Sequence, residues 1–326
     1  MAGSHLADYL LKTVLDARIF GAKRWRSPTT NIRHLFGKVS FFDCDLMDAS
    51  ACIELVAKVQ PDYVFHLAAQ SFVPESWKNP HATIIQNITM QLQVFEAIRL
   101  NNLNPVIQVA LSSEEYGKVY PEETPITEQN PLRPLSPYGV SKVAQDMLAY
   151  QYFQNYDLRV IRTRAFNHEG PRRGEVFVTS NVAKQIAEIE MGVVPPVVTI
   201  GNLSAQRDWS DVRDIVRAYW LSVRNCIPGE EYVIASGTAR TVRSMLDVLL
   251  GLSTKKEIEV RIDPARLRPS DVEILQGDAT KFKQATGWQP EIPFEQTMED
   301  LLNYWRDIIR RRKESGTLLQ ETLIRA

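Results

Sequence analysis

Short runs of β-branched and aromatic residues alternate with longer amphipathic stretches through the first half of this chain, and few folds accommodate that rhythm. Strand patterns fall at 18–22, 38–43, 62–67, 105–111 and 158–163. Helical patterns fall at 4–15, 49–58, 82–100 and 137–152. Parallel strands need a crossover of a dozen or more residues between them, and a helix is the usual one. The spacing therefore predicts an α/β fold, a doubly wound Rossmann-type parallel sheet. Beyond Phe166 the alternation loosens and prolines from Pro171 to Pro293 punctuate shorter elements. This half is expected to form a smaller α/β substrate lobe. The expected divisions are a dinucleotide domain over 1–165, a lobe over 166–313 whose segments interleave with it, and a tail over 314–326. No internal repeat or low-complexity stretch interrupts the pattern.

A chain of 326 residues can bury a substantial core in one large domain or two closely joined ones. Its formal net charge of -1, with 24% charged residues, gives no electrostatic pull toward nucleic acid or membrane. The cysteines are Cys44, Cys52 and Cys226, an odd number without Cys-x-x-Cys spacing. Neither a disulfide framework nor a metal site is suggested, and a cytoplasmic location fits best. No apolar run approaches the roughly 18 residues that span a bilayer, and no signal-peptide pattern opens the chain.

Three residues carry chemistry. Tyr138 and Lys142 lie in Ser136-Pro-Tyr-Gly-Val-Ser-Lys142, and Ser112 lies upstream in Leu111-Ser-Ser-Glu-Glu-Tyr-Gly117. On a helix, Tyr138 and Lys142 share a face one turn apart. An ammonium beneath the phenol is expected to draw its pKa down from about 10. Ser112 would hold a substrate oxygen while hydride moves. Carbonyl–alcohol redox chemistry on a nicotinamide cofactor needs this set. Lys23, Arg24 and Arg26 cluster after a predicted strand, where an acidic residue would favour NAD and arginine can neutralise a 2′-phosphate. NADP is expected, with NAD possible.

These residues, together with His66-Leu-Ala-Ala-Gln-Ser71, Phe166-Asn-His-Glu-Gly-Pro-Arg-Arg-Gly-Glu175, Gly201-Asn-Leu203, Arg207-Asp-Trp209 and Arg268-Pro-Ser-Asp271, resemble the extended short-chain dehydrogenase/reductase family. Within it they are similar to the enzymes that act on GDP-hexoses, over residues 3 to about 311. The resemblance implies a GDP-sugar substrate and one of two activities. Reduction of the C4 keto group of GDP-4-keto-6-deoxy-mannose is favoured by Ser112, where dehydratases usually carry Thr, and by the runs Leu132–Lys142, Asp211–Val216 and Asp263–Pro269. GDP-mannose 4,6-dehydration is the alternative. It is favoured by Arg24-Trp-Arg-Ser27 with Asn31 and by the Pro-Arg-Arg-Gly-Glu run, and its extra base would be Glu114. An enzyme acting on another nucleotide sugar, or a non-catalytic dinucleotide-binding scaffold, stays open.

The resemblance also implies roles. Asp45 and Leu46 match an adenine-contacting pair. Leu67, Ala68, Ala69 and Gln70 match a strand end beside the nicotinamide ribose, and His168 would face the cofactor from a loop. For substrate, Arg207 and Arg268 match diphosphate ligands, Asp271 a ribose-hydroxyl acceptor, and Asn167 and Asn202 sugar or diphosphate contacts. Members of the family usually pair through two helices, so a homodimer is expected. One departure stands out. The family opens on a strand running into Gly-x-x-Gly-x-x-Gly, whereas this sequence opens Met1-Ala-Gly-Ser-His-Leu6, matching only the last glycine, Gly3. As written, it is expected to leave a slot in the sheet, with weaker cofactor affinity and reduced stability.

Overall fold

The computed structural model describes residues 1–266 and 272–315. In chain order its strands are β1 (Phe20–Lys23), β2 (Ser40–Asp43), β3 (Tyr63–His66), β4 (Val106–Ala110), β5 (Arg159–Ala165), β6 (Asn167–Glu169), β7 (Val197–Ile200), β8 (Gln206–Asp211), β9 (Glu231–Ile234), β10 (Ala239–Thr241), β11 (Glu259–Ile262) and β12 (Ile274–Leu275). Its helices are α1 (Ala2–Thr13), α2 (Ala49–Val59), α3 (Val73–Lys78), α4 (Pro80–Leu100), α5 (Pro137–Tyr156), α6 (Val178–Glu190), α7 (Val212–Asn225), α8 (Val242–Gly251), α9 (Thr280–Thr286) and α10 (Phe294–Glu314).

The main sheet runs β3-β4-β5-β9, every pair parallel, and β1 pairs with β2 in a separate parallel ribbon. Among the described residues no ladder joins β1 to β3. The inner strands read as the predicted buried runs: Ile107, Val109, Val160 and Ile161 are fully covered. One face packs Phe95, Ile98 and Ala149 of α4 and α5 against them, and the other packs Ile215 and Tyr219 of α7 with Tyr232, Phe282 and Trp288. β3 is less covered, and its Phe65 meets Leu6 and Leu10 of α1 and Val212 and Val216 of α7. The fold is the predicted α/β parallel sheet.

Local chemistry sets the ends of these elements. Ser136 caps α5, its hydroxyl accepting from the Gly139 amide at 3.0 Å, with Pro137 at the first helical position. Asp48, Asp211 and Thr241 cap α2, α7 and α8 in the same way. The pattern at 82–100 falls within α4, and a short helix that the pattern did not include, α3, precedes it; the two are separate because Asn79 precedes Pro80 and is pushed out of the helical region to φ -129, ψ 66. Helix α1 starts earlier than its pattern, at Ala2, and α5 runs one turn further, to Tyr156.

After β5 the chain builds short sheets around β8, which is flanked by β10 and β12 and also pairs with β6, while β7 pairs with β11. Helices α6, α8 and α10 close a separate core around Ile186, Leu246, Met298 and Leu301. β9, α7 and α9 return to the main sheet. His168, expected in a loop, lies within β6 instead, because Asn167–Glu169 finds ladder partners in Trp209–Asp211.

Gly229 closes the turn into β9 at φ +86, and a Cβ there would lie 2.3 Å from the Phe153 ring. Its carbonyl also accepts from Arg162 Nε at 3.1 Å and Nη2 at 2.9 Å. Gly229→Ala should therefore lower stability by about 2–4 kcal/mol in urea unfolding, from left-handed strain plus overpacking. A change under about 0.5 kcal/mol would mean that helix α5 yields to the methyl group.

Candidate active site

The carboxyl ends of β3, β4 and β5 open into a cleft of about 860 Å³, where a doubly wound sheet places its ligands. Ser112 follows β4 and begins a tight turn, Ser113–Glu115. Its hydroxyl accepts from the Glu114 amide at 3.2 Å, and its own amide donates to Glu115 Oε1 at 2.8 Å. Tyr138 and Lys142 enter from the first turns of α5. That helix approaches the Ser112 turn so closely that a Cβ on Gly139 would stand 2.6 Å from the Glu114 carbonyl oxygen. Lys142 Nζ donates to the Ala110 carbonyl at 2.7 Å and sits 5.9 Å from the centre of the Tyr138 ring. Ser112, Glu114, Tyr138 and Lys142 all line the cleft.

The electrostatics correct one expectation. Burial pushes the Tyr138 phenol up rather than down, opposed by a hydrogen bond with Ser112, with the charges of Glu114 and Glu115 adding to the rise and that of Arg173 resisting it. Desolvation of the buried phenol is the largest of these effects. Burial also brings Lys142 down to about 8, against the pull of Glu115.

Of the residues assigned to a cofactor, Leu67, Ala69, Tyr138, Lys142 and His168 line this cleft, beside Met1 and Ala2 at the start of α1. Gly3 instead faces Leu67, whose Cδ1 would lie 3.8 Å from a Cβ at that position. Ala68 is absent from the wall of the cleft. Gln70 is engaged in the turn, its side chain reaching the Phe72 amide at 2.6 Å and the Thr83 hydroxyl at 3.0 Å. A second cavity of about 500 Å³ lies at the ends of β1 and β2, lined by Arg24, Trp25, Arg26, Ser27, Cys44 and Asp45 among others. Arg26 stacks 4.1 Å above Trp25, while Lys23 pairs with Asp43. Leu46 packs into the core beside Cys44 rather than lining this cavity. The two cavities differ in chemistry: small apolar residues and a lysine at one, guanidinium groups and a carboxylate at the other.

Asn167, Asn202 and Arg207 lie on the far wall of the main cleft. Arg207 is buried and donates to the Val272 carbonyl at 2.7 Å. Arg268 and Asp271 lie outside the described residues. Sequence reasoning missed Arg173. Its guanidinium lies 3.5 Å from the Phe177 ring centre, faces Glu169 at 3.3 Å and projects into the cleft. The signal was present in the Pro-Arg-Arg-Gly run, but spacing alone does not say which arginine turns inward; Arg172, at φ 68, turns away to pair with Asp8 at 2.7 Å.

Parallel sheet, cleft and relay define an extended short-chain dehydrogenase/reductase enzyme. The family model described as GDP-mannose 4,6 dehydratase matches residues 1–301, and the chain belongs to that family. It is 33% identical to GDP-mannose 4,6-dehydratase of Yersinia enterocolitica, over 92% of this chain and 90% of that one. It is 30% identical to GDP-6-deoxy-D-mannose reductase of Pseudomonas aeruginosa, over 82% and 87%. Among solved structures, RMD from Pseudomonas aeruginosa complexed with NADPH superposes with a TM-score of 0.80 at 28% identity, covering 94% and 96% of the two chains. No helix among the described residues is long and apolar enough to cross a membrane.

Three histidines are held neutral. Burial lowers His66 to about 3, and lowers His5 and His168 to about 4. Each takes up a proton near pH 6.5 only once unfolded, so the unfolded chain binds more protons between about pH 4 and pH 6.5. Stability should be complete above that window and fall as pH drops through it. Urea midpoints measured from pH 7.5 to 4.5 check this, and His66→Gln should flatten the fall; an unchanged slope would mean that His66 is charged in the native protein.

Proposed function

We propose that this enzyme dehydrates GDP-mannose at C4–C6 using NADP, a step of GDP-deoxyhexose biosynthesis. The observation that carries the reading is Glu114, a carboxylate on the cleft wall two residues beyond Ser112 and close enough to Tyr138 to act on its charge. A 4-keto reductase has no step for such a base, whereas dehydration requires one. The sequence motifs taken alone lean to the reductase, and reductases that resemble this chain share the Ser-Ser-Glu-Glu-Tyr-Gly run; the reading as a dehydratase rests on the chemistry this carboxylate can do at the cleft wall.

A dinucleotide held by Leu67, Ala69 and Lys142 in the main cleft and by Arg24 and Arg26 in the second cavity would supply the hydride acceptor and donor. Tyr138, whose phenolate the positive ring of an oxidised nicotinamide would favour against the rise that burial imposes, takes the proton of the C4 hydroxyl, and Ser112 holds that oxygen. The C4 ketone acidifies the C5 hydrogen, which Glu114 removes and delivers to the departing C6 hydroxyl, so water leaves. Tyr138 then returns its proton to C5 as hydride reaches C6. The balance is the loss of one water, and the positioning of each group follows from general acid–base reach. For NADP over NAD, support comes from Arg24 and Arg26 in the adenosine-sized cavity, where guanidinium matches a 2′-phosphate. Arg207 and Asn202 are assigned to the diphosphate and sugar.

Reduction of GDP-4-keto-6-deoxy-mannose is the second reading, favoured by the hydroxyl of Ser112 in place of a threonine and by the 30% identity to the reductase. Mass spectrometry of GDP-mannose incubated with the enzyme and catalytic NADP separates the two. Loss of one water is expected, with NAD at least tenfold poorer and Glu114→Gln slower by roughly 10²–10⁴-fold. Unchanged GDP-mannose, with NADPH oxidised by the 4-keto sugar instead, would establish the reductase.

Two copies are proposed to pair through α4 and α5. Their outer faces expose Ile85, Leu100, Val140, Met147, Tyr150 and Tyr156, each by 44% or more, which is a large apolar area for a monomer. Sedimentation velocity should find a dimer that Met147→Arg dissociates; a monomeric wild type would end this proposal.

A further inference from the structure

Behind the relay lies a buried charge network that the chemistry above leaves unused. Asp146 stands on α5 four residues past Lys142 and eight past Tyr138, on the same stripe, and its side chain is fully buried. Two arginines of β5 hold it. Arg162 Nη1 reaches Oδ1 at 2.7 Å, and Arg164 reaches Oδ2 from Nε at 2.8 Å and from Nη2 at 2.7 Å. Because they are two apart on one strand, both guanidinium groups leave the sheet on the face that α5 covers.

Arg164 extends the network toward the site. It donates to Tyr116 Oη at 3.2 Å and to the Glu128 carbonyl at 3.1 Å, and its Nε lies 3.6 Å from Glu115 Oε2. Glu115 is itself fully buried, and burial together with the neighbouring Asp146 raises its carboxyl well above the usual carboxylate range. Its Oε1 accepts the amide of Ser112. One chain of contacts therefore runs from the catalytic helix through Asp146 and Arg164 to Glu115 and the Ser112 main chain.

Burying Asp146 with two guanidinium groups brings little or no net stability compared with apolar side chains of the same volume. A network of this kind earns its place through geometry, and this one touches both segments that carry the relay. We propose that Glu115 is a positioning residue: by accepting the Ser112 amide and facing Arg164, it fixes the Ser112 hydroxyl against Tyr138. Glu114 and Glu115 are neighbours with separate tasks, one facing the cleft and the other turned inward. The proposal holds for dehydration and reduction alike, since both use Ser112 and Tyr138.

Asp146 is a poor test, because removing it strands two buried arginines and the variant is expected to unfold. Glu115→Ala and Glu115→Gln are the informative pair, since a glutamine carbonyl can still accept the Ser112 amide. In Glu115→Ala, kcat should fall at least 30-fold, while KM and the dissociation constant for NADPH, read by fluorescence, change less than threefold. Glu115→Gln should recover at least a third of wild-type kcat. Deuterium exchange read on peptides covering 110–117 gives a measure independent of turnover. Protection at the Ser112 turn should drop at least tenfold in Glu115→Ala and persist in Glu115→Gln, with the rest of α5 unaltered. Equal impairment of the two variants, a loss residing in KM, or unchanged exchange in Glu115→Ala would overturn the proposal. A wild-type enzyme inert toward both sugars would defeat the functional reading instead and leave the exchange comparison to decide this one.

Discussion

The contact between helix α5 and the carboxyl end of β4 is the constraint on which the site depends. Gly139 permits it, because any side chain there would collide with the Glu114 carbonyl. Lys142 then reaches the Ala110 carbonyl at 2.7 Å, so its ammonium is anchored to the same strand that delivers Ser112. Tyr138 is brought over the Ser112 turn by the same approach. A helix lifted by the width of a methyl group would keep every motif in the sequence and lose the relay.

Around that contact the molecule divides its labour by burial. The inner strands β4 and β5 are covered on both faces and carry little chemistry of their own until their carboxyl ends, where the chain turns polar. Desolvation there is strong enough to decide the protonation of each group: it raises the phenol of Tyr138, lowers the ammonium of Lys142 to about 8 and keeps His66 and His168 neutral. Arg173, arriving from the segment after β6, acts on Tyr138 through its charge.

Much of this was legible in the sequence. Elements from β1 to β5 follow directly from period-2 and period-3.6 patterning, since parallel strands buried on both faces leave an unmistakable apolar signature. The fit is poorest where a single proline or a tertiary partner decides. α3, set off from α4 by Pro80, had no pattern of its own, and β6 exists only because β8 offers it a ladder. Ser112, Tyr138 and Lys142 were found from spacing and Glu114 from the family resemblance, and all line one cleft. Gln70 and Leu46 were assigned outward roles, yet the first is held by Thr83 and Phe72 and the second by the core.

The sequence by itself determined the fold class, the relay residues and the family, because each is written in local periodicity or in short fixed spacings. Only the tertiary structure decided which of two adjacent arginines enters the cleft, which of two adjacent glutamates faces the substrate and which supports Ser112, and whether the phenol's pKa rises or falls. Those outcomes depend on side-chain direction and on exclusion of water, and both arise from packing between segments far apart in the chain.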